Sequence, residues 1–386
     1  MNYSTPTSPA SVKPKPTTSN RIQILDFLRG ITLFGILLTH SYSDFRSIFE
    51  LVSEVSSGSL PFKLVNVIMS NLFTQVLYSI FSFLFGLSFA IQLKNSVLKA
   101  RPFTKRFLWR LLVLLLIGFV HSLFFARDIL QLYALLGMLL VFFKNIPEKG
   151  LVLLGVFFSL FGIAMTFFNS EIAEEVSNLG EWSKNLLIMR TLGLSKIDYL
   201  ILSGRLFIVF SLFIWGLYAG KQEIFKMTEE NRNFFLRLLY WSGGVTFFLG
   251  VVYTIVKRNY TEIPDYVYAI YALKRLAQSA FYVALFVKLY ELEVIKKIGE
   301  LFVPVGKMGL TIYVTQSIFL IYYYELDNEL ILDFGLKGAI LATIAFFFVQ
   351  MGFAWTWMSV FQYGPLEWIW RSLTYFKVFN LLKKTI

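Results

Sequence analysis

The chain has 386 residues, 56% of them hydrophobic and 18% aromatic, with only 16% charged and a net charge of +12. A soluble domain carries about 25% charged residues and lacks repeated apolar runs of spanning length, so the composition is that of a polytopic membrane protein. Cysteine is absent, which excludes disulfides, thiol catalysis and cysteine-ligated metals; two histidines, His40 and His121, make a histidine-rich metal site implausible, and no metal is expected. Basic residues cluster in alternate loops, a pattern of topology control and not of nucleic-acid binding.

Residues 1–20 are rich in Pro, Ser and Thr, carry Lys13 and Lys15 and no acid, and read as a disordered cytoplasmic tail. Ten apolar segments follow, near 22–42, 64–93, 107–126, 129–143, 150–170, 199–220, 235–256, 266–288, 301–324 and 338–362. The expected fold is therefore all-α, with about ten transmembrane helices and residues 21–386 forming one membrane domain. The 94–110 stretch holds Lys94, Lys99, Arg101, Lys105, Arg106 and Arg110 without an acid, which places it in the cytoplasm. The 325–333 turn holds Glu325, Asp327, Glu329 and Asp333 without a base, which places it outside. An odd number of spans separates the two, and both termini then fall in the cytoplasm. Two segments strain the scheme: 129–143 is short, and Lys274 with Arg275 interrupts 266–288, so these bases must snorkel, line a cavity or shorten the span. The acidic 171–198 loop is read as an outer amphipathic helix.

The first span, RIQILDFLRGITLFGILLTHSYSD, carries Asp26, Arg29 and His40. At about 100° per residue all three fall within roughly 60° of one another, on a stripe about 21 Å long. Intramembrane polar groups cost about 2.5–3.5 kcal/mol each at mid-helix and normally face protein or water, so the stripe marks a functional face. The plainer alternative is an Asp26–Arg29 pair at the headgroups with His40 at the far end. In the third segment, LLLIGFVHSLFFARDIL, His121 falls in the same membrane half as His40. Asp128 (or Asp44) suits the orientation of an imidazole acting as general base, and equally Asp128 suits an N-cap for the fourth helix. His121 is also readable as a packing histidine.

Cations gather in the other half: Arg29, Lys307 and the 101–110 cluster with Arg106. They suit phosphates, and all but Arg29 also suit topology and lipid headgroups. VGKMGLTIYVTQS sets Thr311, Thr315 and Gln316 in an apolar helix, where such residues commonly join helices. YSIFSFLFGLSFAIQL offers Ser79, Ser82, Gly86 and Ser88 for close helix packing, and GPLEWIWRSLTYF reads as an interfacial helix anchored by tryptophan. No phosphate-binding Gly-rich loop, metalloprotease helix or Gly-x-Ser-x-Gly elbow is present, so neither ATPase nor serine hydrolase chemistry is indicated.

Five blocks in order resemble the YeiB-like family of bacterial membrane proteins, domain of unknown function 418: RIQILDFLRGITLFGILL, FSFLFGLSFAIQL, LLIGFVHSLFFARDILQLYALLG, VGKMGLTIYVTQS and GPLEWIWRSLTY. The resemblance covers residues 21–376. Departures are Arg127 before Asp128 where the family has Gly, Lys307 for Arg, Ile312 for Asn and His40 for Asn. The Asp26, Arg29 and His40 spacing is similar to the opening of acyltransferase-3 proteins, within a transmembrane acyltransferase group that includes heparan glucosaminide acetyltransferase. What this implies is an acyl-CoA donor such as acetyl-CoA, bound from the cytoplasm near Asp26, Arg29, Arg106, Lys307 and Gln316. It also implies an envelope-side glycan, lipid-linked or other acceptor, with His40, His121 and Asp128 as the catalytic candidates. The expected setting is a bacterial plasma (inner) membrane protein, in contact with lipids and not with nucleic acid, its oligomeric state left open. The alternative is a transporter or flippase using the same stripe as a substrate or proton path.

Overall fold

The computed structural model describes residues 20–52, 64–73 apart from 66, 76–98, 102–125, 128–168, 200–259, 264–326 and 328–383. Residues 1–19 of the expected tail over 1–20, the 171–198 loop, Lys99, Arg101, Arg127 and Asp327 lie outside them, and Asn20 opens the first helix. All named elements among the described residues are helical: α1 Asn20–Val52, α2 Val76–Leu98, α3 Thr104–Ser122, α4 Leu130–Leu140, α5 Glu148–Phe168, α6 Arg205–Lys221 and α7 Glu229–Asn259. They continue with α8 Asp265–Tyr290, α9 Glu293–Glu300, α10 Val303–Lys307, α11 Gly309–Leu320, α12 Asn328–Val360 and α13 Pro365–Tyr375.

Six of these helices are long and apolar enough to cross a membrane: Gln23–Phe45, Asn71–Leu98, Glu148–Phe168, Glu229–Val256, Asp265–Tyr290 and Gly335–Val360. The other four predicted segments fall on helices that miss that standard for local reasons. Helix α3 carries Lys105, Arg106 and Arg110 in its first two turns. Helix α4 with the short turn after it, Leu130–Phe143, and α6 are brief. The ninth segment is broken at Met308, which joins α10 to α11 with φ −103° and ψ 31°.

Burial sorts the helices. In α1 the most apolar stretch is 72% buried, whereas in α7 it is 6% buried, so α1 runs through the interior and α7 lies on the outside. The exposed face of α7 presents Tyr240, Trp241, Phe247 and Phe248, and that of α5 presents Leu153, Phe157 and Leu160. These surfaces suit lipid, because hydrocarbon gives apolar side chains no reason to hide.

Association in lipid then relies on close packing of small residues. Helices α2 and α6 show it: a Cβ on Gly86 would sit 2.0 Å from the Phe213 carbonyl oxygen, and one on Gly216 would sit 2.1 Å from that of Phe83. Gly220 lies against Ala90, so α6 brings a Gly-x-x-x-Gly face to the Gly86–Ala90 face of α2. The same device docks α10 onto α1, where a Cβ on Gly306 would come within 1.8 Å of the Asp26 carbonyl oxygen. Between α11 and α12, Gln350 donates to Thr315 Oγ1 at 2.7 Å and to the Ile312 carbonyl at 3.2 Å. Ser41 on α1 and Thr343 on α12 share a further hydrogen bond.

Candidate functional site

Helices α1 to α8, α10, α11 and α13 enclose or border one cavity of about 1160 Å3. That exceeds the roughly 300–1,000 Å3 of an ordinary small-molecule pocket. Helix polarity orders its wall. Lys94 at the end of α2 pairs with Glu223 just past α6, which defines one end of the bundle. Arg29, Ser88, Gln92, Arg110 and Lys307 line the cavity toward that end; His40, Tyr78, Asp128, Arg205 and Arg275 line it toward the other. The waist between is apolar, with Leu33, Ile36, Phe85, Leu114 and Leu132.

At the first end Arg29 donates through Nη1 to Asp26 Oδ1 at 2.7 Å and through Nη2 to Ser88 Oγ at 2.6 Å. The three-residue spacing on α1 allows the first bond, and the small residue on α2 allows the second. Asp26 itself is buried and does not line the cavity; it holds Arg29 from behind. Arg110 donates to Gln92 Oε1 at 3.0 Å and lies 4.0 Å over the Trp370 ring of α13. The Gly306–Asp26 contact sets Lys307 on the same wall.

The break between α10 and α11 leaves backbone N–H groups outside the helical ladder, which must find acceptors. Glu367 of α13 supplies them. Its Oε1 accepts the N–H of Leu310 at 2.6 Å and of Thr311 at 3.0 Å, and its Oε2 accepts the Thr311 hydroxyl at 2.6 Å. Burial nevertheless raises the Glu367 pKa above the ordinary carboxylate range, against those hydrogen bonds.

Toward the other end His121 Nδ1 lies 2.7 Å from Asp128 Oδ1. With the carboxylate ionised, Nδ1 carries the proton and Nε2 is left as an acceptor. That Nε2 is buried and has no hydrogen-bond partner among the described residues. Asp128 Oδ2 accepts the Gln131 N–H at 3.2 Å, so capping of α4 and the contact with His121 use different oxygens. His40 and His121 both neighbour Phe125, with ring centroids 6.0 and 5.6 Å from it. Tyr313 completes the group, its ring 5.4 Å from that of His121.

Of the residues selected from sequence, Arg29, His40, Asp128 and Lys307 line the cavity, with Asp26 and His121 in direct contact with that wall. Two do not reach it. Arg106 turns its guanidinium over Tyr375, 5.3 Å from the ring centroid. Gln316 is buried between helices, with Nε2 3.3 Å from the Leu33 carbonyl oxygen and from Gln350 Oε1. It joins helices, as polar residues in apolar helices commonly do. The cavity uses Arg110 in place of Arg106, and adds Glu367, Arg205 and Arg275. Arg275 was visible as a charge inside an apolar run; of the options open to it, it lines the cavity, while Lys274 donates to Asn71 Oδ1 at 3.1 Å.

Known families and proteins resemble the chain along most of its length. The family described as "Heparan-alpha-glucosaminide N-acetyltransferase, catalytic" matches residues 21–249, which hold Asp26, Arg29, His40, His121 and Asp128. The family described as "Protein of unknown function (DUF418)" matches residues 219–377, which hold Lys307 and Glu367. "Uncharacterized protein YxaH" of Bacillus subtilis (strain 168) is 30% identical over 416 residues, covering 96% of this chain and 98% of that one. "Uncharacterized 39.9 kDa protein in amylase 3'region" of Bacillus acidopullulyticus is 24% identical over 382 residues, covering 94% and 96%. No solved structure matches. The chain thus belongs to the DUF418 family, within the transmembrane acyltransferase group that includes the heparan-alpha-glucosaminide N-acetyltransferase catalytic family.

Proposed function

We propose that the protein is a membrane acyltransferase that moves an acyl group from acyl-CoA in the cytoplasm to a hydroxyl or amine of an envelope glycan, lipid or other acceptor. The setting is the plasma membrane of a bacterium, crossed ten times with both termini inside. Helix α6, at 17 residues, reaches about 26 Å at 1.5 Å per residue, close to a roughly 30 Å hydrocarbon core. The single observation that carries the reading is that one cavity has a cationic end, an apolar waist and a histidine–carboxylate end.

In this reading Arg29, Arg110 and Lys307 take the donor's phosphates, to which guanidinium groups are geometrically suited. Asp26 and Ser88 fix the direction of Arg29. The thioester lies along the apolar waist. His40, which lines the cavity, accepts the proton of the attacking hydroxyl or amine as its oxygen or nitrogen bonds to the thioester carbon. The carbon–sulfur bond then breaks, and the proton passes to the departing thiolate. His121 fixes Asp128 at the cavity wall, where the carboxylate favours a passing imidazolium.

The test is inverted membrane vesicles given acetyl-CoA labelled in the acetyl group together with envelope glycan. Covalent label on the glycan, lost in the Arg29→Ala and His40→Ala variants, is the expected result. Vesicle uptake of an unmodified solute without label transfer would overturn it in favour of a carrier.

A further inference from the structure

Tyr78 lines the cavity, and the acyl-transfer steps give it no part. It stands in the first turn of α2, whose start meets α1 at the level of the waist: a Cβ on Gly35 would come within 1.7 Å of Leu77 Cδ1. Ile36 follows Gly35 in the waist, and His40 lies about 6 Å further along α1 at 1.5 Å per residue. Tyr78 therefore lines the passage where the apolar waist gives way to the histidine–carboxylate end. Arg205 and Asp128 are the charged groups that act on it, Arg205 the more strongly.

The bonds around Tyr78 hold its ring and leave its hydroxyl open. Tyr133 of α4 packs beside it, with ring centroids 6.0 Å apart. The Tyr133 hydroxyl is taken: it shares a 2.6 Å hydrogen bond with Ser82 Oγ, and Ser82 donates to the Tyr78 backbone carbonyl at 3.0 Å. Tyr78 differs. Its hydroxyl has no hydrogen-bond partner among the described residues, yet it is not one of the buried unpartnered atoms, so it meets open space in the cavity. An O–H donor on an apolar wall is costly unless a ligand or water meets it. Attack on a thioester moves the carbonyl π pair onto oxygen, and a donor set where that charge develops favours the transition state over the ground state. The thioester carbon must stand beside His40 for the attacking group to lose its proton there, which is the level that Tyr78 lines.

We propose that Tyr78 is a further catalytic residue of the acyl transfer, its hydroxyl donating a hydrogen bond to the thioester carbonyl oxygen and stabilising the oxyanion formed there. As the acceptor's oxygen or nitrogen bonds to the carbonyl carbon, the π pair moves to the carbonyl oxygen and His40 takes the proton. When the pair returns, the carbon–sulfur bond breaks and the proton leaves His40 for the thiolate. Tyr78 keeps its own proton throughout. The assignment rests on the acyl-transfer reading.

The experiment uses the full chain in phosphatidylcholine nanodiscs with acetyl-CoA carrying carbon-13 at the carbonyl, whose stretching frequency is read by infrared difference spectroscopy. Tyr78→Phe should raise that frequency relative to wild type, because the carbonyl loses a donor. Transfer of label to envelope glycan in inverted vesicles should fall about 10²–10³-fold, the loss for one oxyanion donor. Acetyl-CoA affinity should fall about tenfold at most, and the melting temperature should hold, since the hydroxyl makes no bond within the protein. A fluorinated tyrosine at position 78, a stronger donor of the same shape, should lower the frequency below that of wild type. Tyr133→Phe, which loses the Ser82 bond, should melt lower with the frequency unchanged. A carbonyl frequency indifferent to both changes at position 78, or turnover undiminished in Tyr78→Phe, overturns the proposal while the acyl-transfer reading stands. Wild type that neither binds acetyl-CoA nor transfers label overturns that reading and the proposal together.

Discussion

Arg29 shows how much a single residue's position decides. On α1 it is three residues from Asp26 and eleven before His40, and the helical repeat alone puts the three on one stripe. Two of the three line the cavity, and the third holds Arg29 by a 2.7 Å bond. Replacing the general base costs about 10²–10⁴-fold in turnover. His40→Ala should therefore lose acyl transfer by that factor while the purified protein keeps its melting temperature and acetyl-CoA affinity. Asp128→Asn, which retains an oxygen for the Gln131 N–H, should slow turnover with little change in stability. Glu367 tests a different quantity. Glu367→Ala strands buried N–H groups at about 1–3 kcal/mol each, so it should lower the melting temperature far more than Glu367→Gln. Because the folded-state pKa of Glu367 lies above that of the unfolded chain, its protonation stabilises the fold at low pH. That contribution is lost as pH rises from the ordinary carboxylate range through the raised value. The melting-temperature advantage of wild type over Glu367→Gln should accordingly shrink between pH 4 and pH 7.5. The stripe was legible because it needs only one helix. The choice of Arg110 over Arg106 was not, because it depends on Trp370 arriving from a distant helix to stack on it.

Among the elements, α2 and α6 share the most extensive contact, and it is written in glycine. Gly216→Ala would place a methyl group 2.1 Å from the Phe83 carbonyl oxygen, a clash that no flexible side chain can relieve. Overpacking of this kind costs about 1–3 kcal/mol, and the purified variant should melt lower or lose its monodisperse profile on size exclusion. Gly352→Ala, where nothing lies within 4 Å, serves as the matched control and should be neutral. Apolar runs made the helices legible, and Gly86 with its serines marked a packing face. What the runs hid was the break at Met308, although Lys307 and Gly309 flank the joint. The cost of that break is met by Glu367, 57 residues beyond Leu310, and such an acceptor is invisible to any local reading. Six helices meet the standard of length and apolarity for spanning because α3 carries three bases in its first two turns, α4 and α6 are brief, and α11 begins at the break.

At the scale of the whole molecule the account rests on one passage: cations near the Lys94–Glu223 end, an apolar waist beside Ile36, then His40 and Asp128. The chain lacks cysteine, so a single introduced thiol reports on its own surroundings without background. The Ile36→Cys variant places that thiol on the cavity wall at the waist, and Leu153→Cys places one on the exposed face of α5. The decisive measurement is the rate at which a small charged methanethiosulfonate reagent modifies each variant in membranes, with and without saturating acetyl-CoA. The account predicts that the thiol at position 36 reacts and that acetyl-CoA slows it at least about tenfold, while the thiol at position 153 stays unreactive in lipid. A thiol at position 36 that never reacts, or reacts at the same rate whether or not acetyl-CoA is present, would contradict it.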